Sequence, residues 1–209
     1  MPSDITTTSS YRDAAYTEYT VSQSGRGYRV SSFGDGDGCV TLSDDERRLV
    51  GFWAADCAER VLPQFEAKAP SDARPREAID GIRVFARGGK RTARLRSLAL
   101  AALAAARDIG DPAATAAARA AGLAASIAYT HALATIDQAK HVLAPPAYAA
   151  RARELAAEDD PRVGDKEIRW AIEHASPTVR EVMRRFPVRS AGRRRLDVLF
   201  YQLDAGLRL

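Results

Sequence analysis

Beyond residue 42, hydrophobic residues recur every three to four positions, a spacing that predicts amphipathic helices. The first predicted helix begins after Ser43, which forms a capping box with Glu46. It is expected to run to about Ala67 and to kink at Pro63, because a proline inside a helix cannot donate a backbone hydrogen bond. Its predicted buried stripe repeats at every fourth residue and consists of Leu49, Trp53, Cys57, Val61 and Phe65.

Alanine dominates the chain between Thr92 and His141. Asp111 is a favoured N-cap residue and Pro112 suits the first position of a helix, so this region predicts two helices folded back as a hairpin. Alanine buries little area, but small side chains let two helix backbones approach closely. Gly122, which lies among these alanines, is therefore predicted to face another helix at short range.

Proline, glycine and capping residues divide the rest into short helices. One is predicted from Asp72, its expected cap, to Gly88, and another follows His131 and is expected to end at Pro145. The remaining helices are predicted from Tyr148 to Glu158, after a cap at Asp165, after Ser176, and after Gly192. No strand pattern persists past residue 42. The predicted fold class is therefore all-α, a compact antiparallel array of about eight to nine helices.

Residues 1–42 differ from the rest because they are rich in Ser, Thr, Gly and Asp. Two tyrosine-containing stretches around Ser24–Gly27 could pair as a hairpin, but an isolated two-stranded hairpin is marginal in water. The low apolar content instead predicts a mostly disordered segment. The expected organisation is a flexible tail over residues 1–41, dispensable for folding, and an all-helical domain over residues 42–209.

Composition narrows the class of protein. The chain has 209 residues, a net charge of +4 and two cysteines, which by themselves cannot build a disulfide framework or a zinc site. It shows no apolar run of membrane-spanning length and no secretion signal at its start. These features predict a cytoplasmic protein without a membrane segment. The modest positive charge is compatible with nucleic acid or with an acidic partner.

Motifs for catalysis and cofactor binding are weak. There is no glycine-rich phosphate loop and no nucleophile elbow. Asp35 and Asp37 match part of an EF-hand loop, but Phe33 stands where the first calcium ligand belongs. Asp137 and His141 lie one turn apart and could orient a histidine for catalysis, although a structural polar contact is the favoured interpretation. We therefore predict a protein that is not an enzyme and that binds no cofactor or metal.

Two groups of basic residues allow a nucleic-acid-binding alternative. The first spans Lys90–Arg96, and its simplest interpretation is a solvated helix face. The second group consists of Arg184, Arg185, Arg189, Arg193, Arg194 and Arg195. Neither group is accompanied by a helix-turn-helix signature or by interleaved aromatic residues that would support recognition of bases.

Six short pieces of the sequence, in order and with their spacing, extend over nearly the whole predicted domain. They are Asp56–Glu66, Arg74–Ile79, Ala120–Gly122, Thr130–Ala134, Gln138–Leu143 and Gly164–Asp165. In these pieces, residues 42–206 resemble the small all-α "putative immunity protein" family of actinobacteria, a type-5-like immunity domain of polymorphic toxin systems. The resemblance implies a non-enzymatic protein that binds and neutralises a cognate bacterial toxin.

Polar residues within the matching pieces are candidates for contact with that partner. Several share one predicted helix that is otherwise small and apolar, and a few helical turns cannot bury so many polar groups without partners. We expect the starts of their helices to converge around one shallow polar site. The alternative is that each residue satisfies a nearby helix end. The candidates are Arg74, His131, Asp137, Gln138, Lys140 and His141.

Overall fold

The computed structural model describes residues 40, 42–131 and 135–209, and within them the predicted all-α fold is confirmed. These residues form nine α-helices and one short 3-10 helix, Ile127–Tyr129, and contain no strand. The helices are α1 Asp44–Glu59, α2 Leu62–Glu66, α3 Arg74–Ala86, α4 Ala93–Asp108, α5 Pro112–Ser126, α6 Ile136–Ala156, α7 Pro161–Glu173, α8 Pro177–Arg184 and α9 Arg195–Arg208. None of the described helices is both long and apolar enough to cross a membrane.

The chain enters the domain through two buried residues, Val40 and Leu42, which belong to the hydrophobic core. The packed structure therefore begins no later than residue 40. The predicted disorder of the tail, its hairpin and the partial EF-hand loop all lie outside the described residues.

The predicted capping box of α1 is confirmed. The Ser43 hydroxyl accepts a hydrogen bond from the Glu46 N–H (3.1 Å), and the Glu46 carboxylate accepts one from the Ser43 N–H (2.7 Å). The predicted kink at Pro63 is wrong, because α1 ends at Glu59 and Pro63 lies in the first turn of a separate helix, α2. In a first turn the missing proline N–H costs nothing, because that N–H would have no intrahelical partner.

The buried stripe of α1 differs from the prediction at one position. Leu49 is 42% exposed, and its neighbour Val50 is buried instead. Cys57 is buried as predicted, and this burial raises the pKa of its thiol well above the ordinary value. A thiol that stays protonated is a poor nucleophile, so Cys57 acts as a small buried side chain of the core.

The alanine hairpin forms as predicted, with Asp111 capping α5 by accepting the Ala114 N–H (2.9 Å). Helix α5 packs most extensively against α4 and α6, and it also contacts α1, α2 and α3. A helix with neighbours on so many sides needs small side chains, and its buried residues are nearly all alanine. Alanine is used here to fit helices together rather than to supply buried area.

Gly122 is the tightest point of the hairpin. A Cβ atom at this position would lie 2.9 Å from both the Ala99 carbonyl oxygen and the Leu103 Cγ of α4. We expect Gly122→Leu to overpack this contact and to lower the free energy of unfolding by about 1–3 kcal/mol. Denaturant melts give the sign of the change in the free energy of unfolding. On an exposed helix the same substitution would raise it, because leucine has a higher helix propensity than glycine.

Helix α6 runs through Pro145 and Pro146, so the prediction that they end the helix is wrong, and the segment from Tyr148 belongs to α6. The two prolines leave the carbonyls of His141 and Val142 without their usual hydrogen bonds. Both prolines are buried, and α6 packs against α1, α5, α7 and α9. Burial on several sides offsets the lost bonds, which a sequence pattern does not reveal.

The predicted start is wrong for α7 and confirmed for α8. Asp160, not Asp165, caps α7 and accepts the Arg162 N–H (3.0 Å). Asp165 lies inside α7 and binds Arg195 instead. Helix α8 begins after Ser176 as predicted, and the Ser176 hydroxyl caps it by accepting the Val179 N–H (3.3 Å).

Candidate functional site

Three helix starts meet around residues 128–131. From the first turn of α1, Arg47 Nε donates to the Thr130 carbonyl oxygen (3.1 Å). Just before α4, the Thr92 carbonyl oxygen accepts a hydrogen bond from the Tyr129 hydroxyl (2.5 Å). The start of α6 reaches the same segment through Gln138, described next. The helix starts that converge are therefore those of α1, α4 and α6.

Gln138 supports the fold at this point. Its side-chain oxygen accepts the His131 N–H (2.9 Å), and its own N–H donates to the Thr135 hydroxyl (3.2 Å). Its side chain is buried. The alternative that a candidate residue satisfies a local backbone group therefore applies to Gln138. His131 itself precedes α6, which begins at Ile136, and does not start that helix as predicted.

Four candidate side chains share one part of the surface, and we call His131, Asp137, Lys140 and His141 the histidine cluster. His131 and Asp137 are exposed, whereas Lys140 and His141 are half-buried. Burial lowers the pKa of His141; the negative charge of Asp137 opposes this shift, and the charges of His131 and Lys140 add to it. His141 is therefore predominantly neutral at pH 7 and offers one hydrogen-bond donor and one acceptor.

The lowered pKa of His141 predicts a pH dependence of stability. Above the unfolded pKa, near 6.5, His141 is neutral in both states. Below it the unfolded chain binds a proton more readily than the folded one, so stability falls as pH drops towards the folded pKa. Denaturant melts from about pH 7.5 to about pH 5 should show this fall, and His141→Gln should reduce it. A His174→Gln control should retain it, and an unchanged slope in His141→Gln would contradict the prediction.

Arg74 lies elsewhere in the molecule. Its guanidinium binds the carboxylates of Asp72 (2.7 Å) and Asp108 (2.9 Å). Asp108 is the last residue of α4, whereas Thr92, which binds Tyr129 two residues before His131, precedes the first. A helix of 16 residues is about 24 Å long, so the expected convergence of helix starts is wrong for α3 and Arg74.

Two buried carboxylates, Glu154 and Glu167, were not singled out from the sequence. Glu154 accepts a hydrogen bond from Arg195 Nε (2.8 Å) and also binds Arg151. Glu167 accepts bonds from Arg60 Nε (2.5 Å) and Nη2 (3.1 Å). The sequence signal that could have identified Glu154 as buried is its position on the apolar stripe of an alanine-rich helix. These ion pairs join α6 to α9 and the end of α1 to α7.

Side chains of His174, Trp170 and Arg60 pack together at the C-terminal end of α7. His174 Nδ1–H donates to the Trp170 carbonyl oxygen (2.8 Å), so this histidine caps the end of α7. The same histidine ring stacks on Trp170 with 4.0 Å between ring centroids. The Arg60 guanidinium also lies on Trp170, 3.8 Å from its ring centre. His174 is therefore bound within the fold, unlike the histidines of the cluster.

No group of three or more His, Cys, Asp or Glu side chains within the described ranges is placed to hold a metal ion. The arrangement around the histidine cluster is instead an open polar surface. Such a surface can exchange hydrogen bonds and charge with another macromolecule, and its neutral His141 can donate or accept.

Comparison with known protein families finds a match over most of the described domain. A family model described as "Imm-5 like putative immunity protein" matches residues 40–178, about two thirds of the chain. The matched region runs from Val40, the first residue that the structure describes, into α8, and it includes Arg74 and the histidine cluster. No curated protein and no solved structure matches the chain.

Proposed function

Because the chain belongs to the Imm-5 like putative immunity protein family, we propose that it binds and neutralises a cognate bacterial toxin without being an enzyme. The observation that carries this proposal is the family match over residues 40–178. We further propose that the protein acts in the cytoplasm, as the immunity component of an actinobacterial polymorphic toxin system. These finer assignments follow from the resemblance in the matching sequence pieces.

The histidine cluster is the proposed contact surface for the toxin. In the described part of the chain, the side chains of His131, Asp137, Lys140 and His141 form no hydrogen bond or ion pair. The fold therefore does not consume them, in contrast to Gln138, which holds the His131 backbone. Polar side chains of this kind, held on a rigid helix start, are available for a partner.

Replacing two members of the cluster tests the proposal. We expect Lys140→Ala with His141→Ala to change the free energy of unfolding by less than about 1 kcal/mol, because neither side chain is bound within the fold. The double variant should lose at least about tenfold in affinity for the product of a neighbouring toxin gene, measured by calorimetry on the purified proteins. It should also fail to protect cells that express that toxin.

A matched control removes positive charge elsewhere. Lys166 and Arg169 lie exposed on α7, and their double alanine variant should bind the toxin as the wild type does. Destabilisation of the Lys140 and His141 double variant by several kcal/mol would withdraw the site assignment, because it would reveal a structural role. Unchanged binding by a stable double variant would also withdraw it.

Nucleic-acid binding has less support. Among the arginines near α8 and α9, Arg185 binds Glu46 (2.7 Å), Arg195 binds Glu154 and Arg184 donates to the Arg208 carbonyl oxygen (3.3 Å). Arg185 and Arg195 are thus paired with carboxylates, which reduces the positive charge that this group of arginines could offer to phosphates. A salt-dependent shift of DNA mobility by the purified protein would favour this alternative over toxin binding.

A further inference from the structure

The outer side of the α5–α6 pair carries an open valley. It consists of two adjoining depressions of about 410 and 370 Å³ that share Pro112 and Leu155 in their walls. Ala116, Tyr148 and Leu196 complete the apolar part of the second depression. The valley is therefore a surface trough with an apolar floor rather than an enclosed cavity.

The register of the two helices shows where the valley lies relative to the histidine cluster. At one end Pro112 of α5 and Leu155 of α6 line the same depression, and two turns along the Arg119 guanidinium lies 5.7 Å from the Tyr148 ring centre. The helices are thus antiparallel. Continued for two more turns, this pairing brings Ser126 opposite His141 of the histidine cluster. Both of these residues are half-buried, and the depressions themselves are lined no further along the helices than Arg119 and Tyr148.

Arg119 is an uncommitted cation in this valley. It contacts the face of Tyr148, and within the described residues it forms no ion pair and no hydrogen bond. Its neighbour Arg151 differs, because it binds both Glu154 and Asp159. A guanidinium that has no carboxylate partner, yet lies over an aromatic ring in an apolar trough, is positioned to receive an acidic side chain.

We infer that the α5–α6 valley docks an amphipathic helix of the toxin, with small or apolar side chains on its floor and a carboxylate bound to Arg119. The shape favours a helix, because the groove between two antiparallel helices accommodates the ridge of a third. Alanine-rich walls permit close approach of the third backbone. This inference rests on the proposed function and extends the toxin contact from the histidine cluster along the valley.

Charge reversal tests the inference with the purified product of the neighbouring toxin gene as probe. Arg119→Glu should weaken binding at least about tenfold, since it places a carboxylate opposite a carboxylate. Arg169→Glu, the matched control on the outer face of α7, should stay within about twofold of the wild type. Thr115→Trp, which fills the valley without changing charge, should also weaken binding at least about tenfold.

A cross-link identifies the occupant, even if a charge variant folds poorly. A photoreactive benzoylphenylalanine introduced at Tyr148 should attach to a helical toxin segment that contains an acidic residue. Attachment to residues 1–39 of this chain, to a second copy of it, or to a toxin loop would overturn the inference. Wild-type binding by both valley variants would also overturn it, while leaving the proposed function intact. If the wild-type chain binds no toxin, the proposed function falls, and the inference falls with it.

Discussion

Replacing Glu154 with alanine is expected to lower the free energy of unfolding by about 3–5 kcal/mol, among the largest effects of any single substitution in the chain. The Glu154 side chain is only 1% exposed, and its carboxylate holds Arg195 and Arg151. Its removal leaves two guanidinium groups without their buried partner and opens a gap between α6 and α7. Loss of one member of a buried ion pair costs more than the pair contributes, because the remaining charge stays desolvated.

The surroundings of Glu154 leave little room for relaxation. A Cβ atom at Gly164 of α7 would lie 2.2 Å from the Glu154 Oε2, so glycine provides the space that the carboxylate occupies. Arg195 also binds Asp165 (2.7 Å) and the Pro161 carbonyl oxygen (2.7 Å). The Gly164–Asp165 piece of the family resemblance is thus explained by this ion-pair network.

Denaturant melts of Glu154→Ala measure the effect. Glu173→Ala removes an exposed carboxylate from α7 and should change stability by less than about 0.5 kcal/mol. A loss below about 1 kcal/mol in Glu154→Ala would show that water enters the site and solvates the arginines. The buried network would then not be what fixes α9 on α6.

Trp53→Ala is expected to cost about 3–5 kcal/mol through the cavity that it leaves between α1 and α7. Trp53 is buried in the core, and its indole N–H donates to the Ala171 carbonyl oxygen (2.9 Å) near the end of α7. The Ala175 N–H bonds to Ile172 instead of Ala171, so the indole satisfies a carbonyl that the helix end leaves free. The substitution therefore removes both buried area and a cap.

Trp53→Phe separates these two contributions. Phenylalanine retains an aromatic ring but not the indole donor, so we expect a smaller loss of about 1–3 kcal/mol from the unsatisfied carbonyl. Thermal or denaturant melts of both variants give the comparison. Equal losses would mean that the hydrogen bond to Ala171 accounts for the whole effect, and no loss in Trp53→Phe would mean that it contributes nothing.

The local signals in the sequence were sufficient for the helices and most of their starts. Ser43 and Asp111 cap helices as predicted, because a cap depends on hydrogen bonds within three residues of itself. The hydrophobic spacing likewise predicted the all-α class, and the run of small side chains around Gly122 predicted its close approach to another helix. Such features need little information about distant parts of the chain.

The failures occurred where distant residues decide the outcome. Pro145 stays inside α6 because four other helices bury that helix, and Asp165 binds Arg195, a partner 30 residues away, instead of capping α7. Local rules cannot weigh these contacts, because their free energies come from tertiary burial and ion pairing.

The same distinction applies to the candidate site. The resemblance supplied the polar candidates, but only the packing of the helices placed Arg74 at the far end of α4 and gathered the histidine cluster near Thr130. That Arg119 lies over Tyr148 without a carboxylate partner is likewise decided by the folded chain and not by the sequence. A sequence shows which residues carry charge. Which charges the fold uses, and which remain for a partner, is decided by which side chains the tertiary structure brings within a few ångströms of each other.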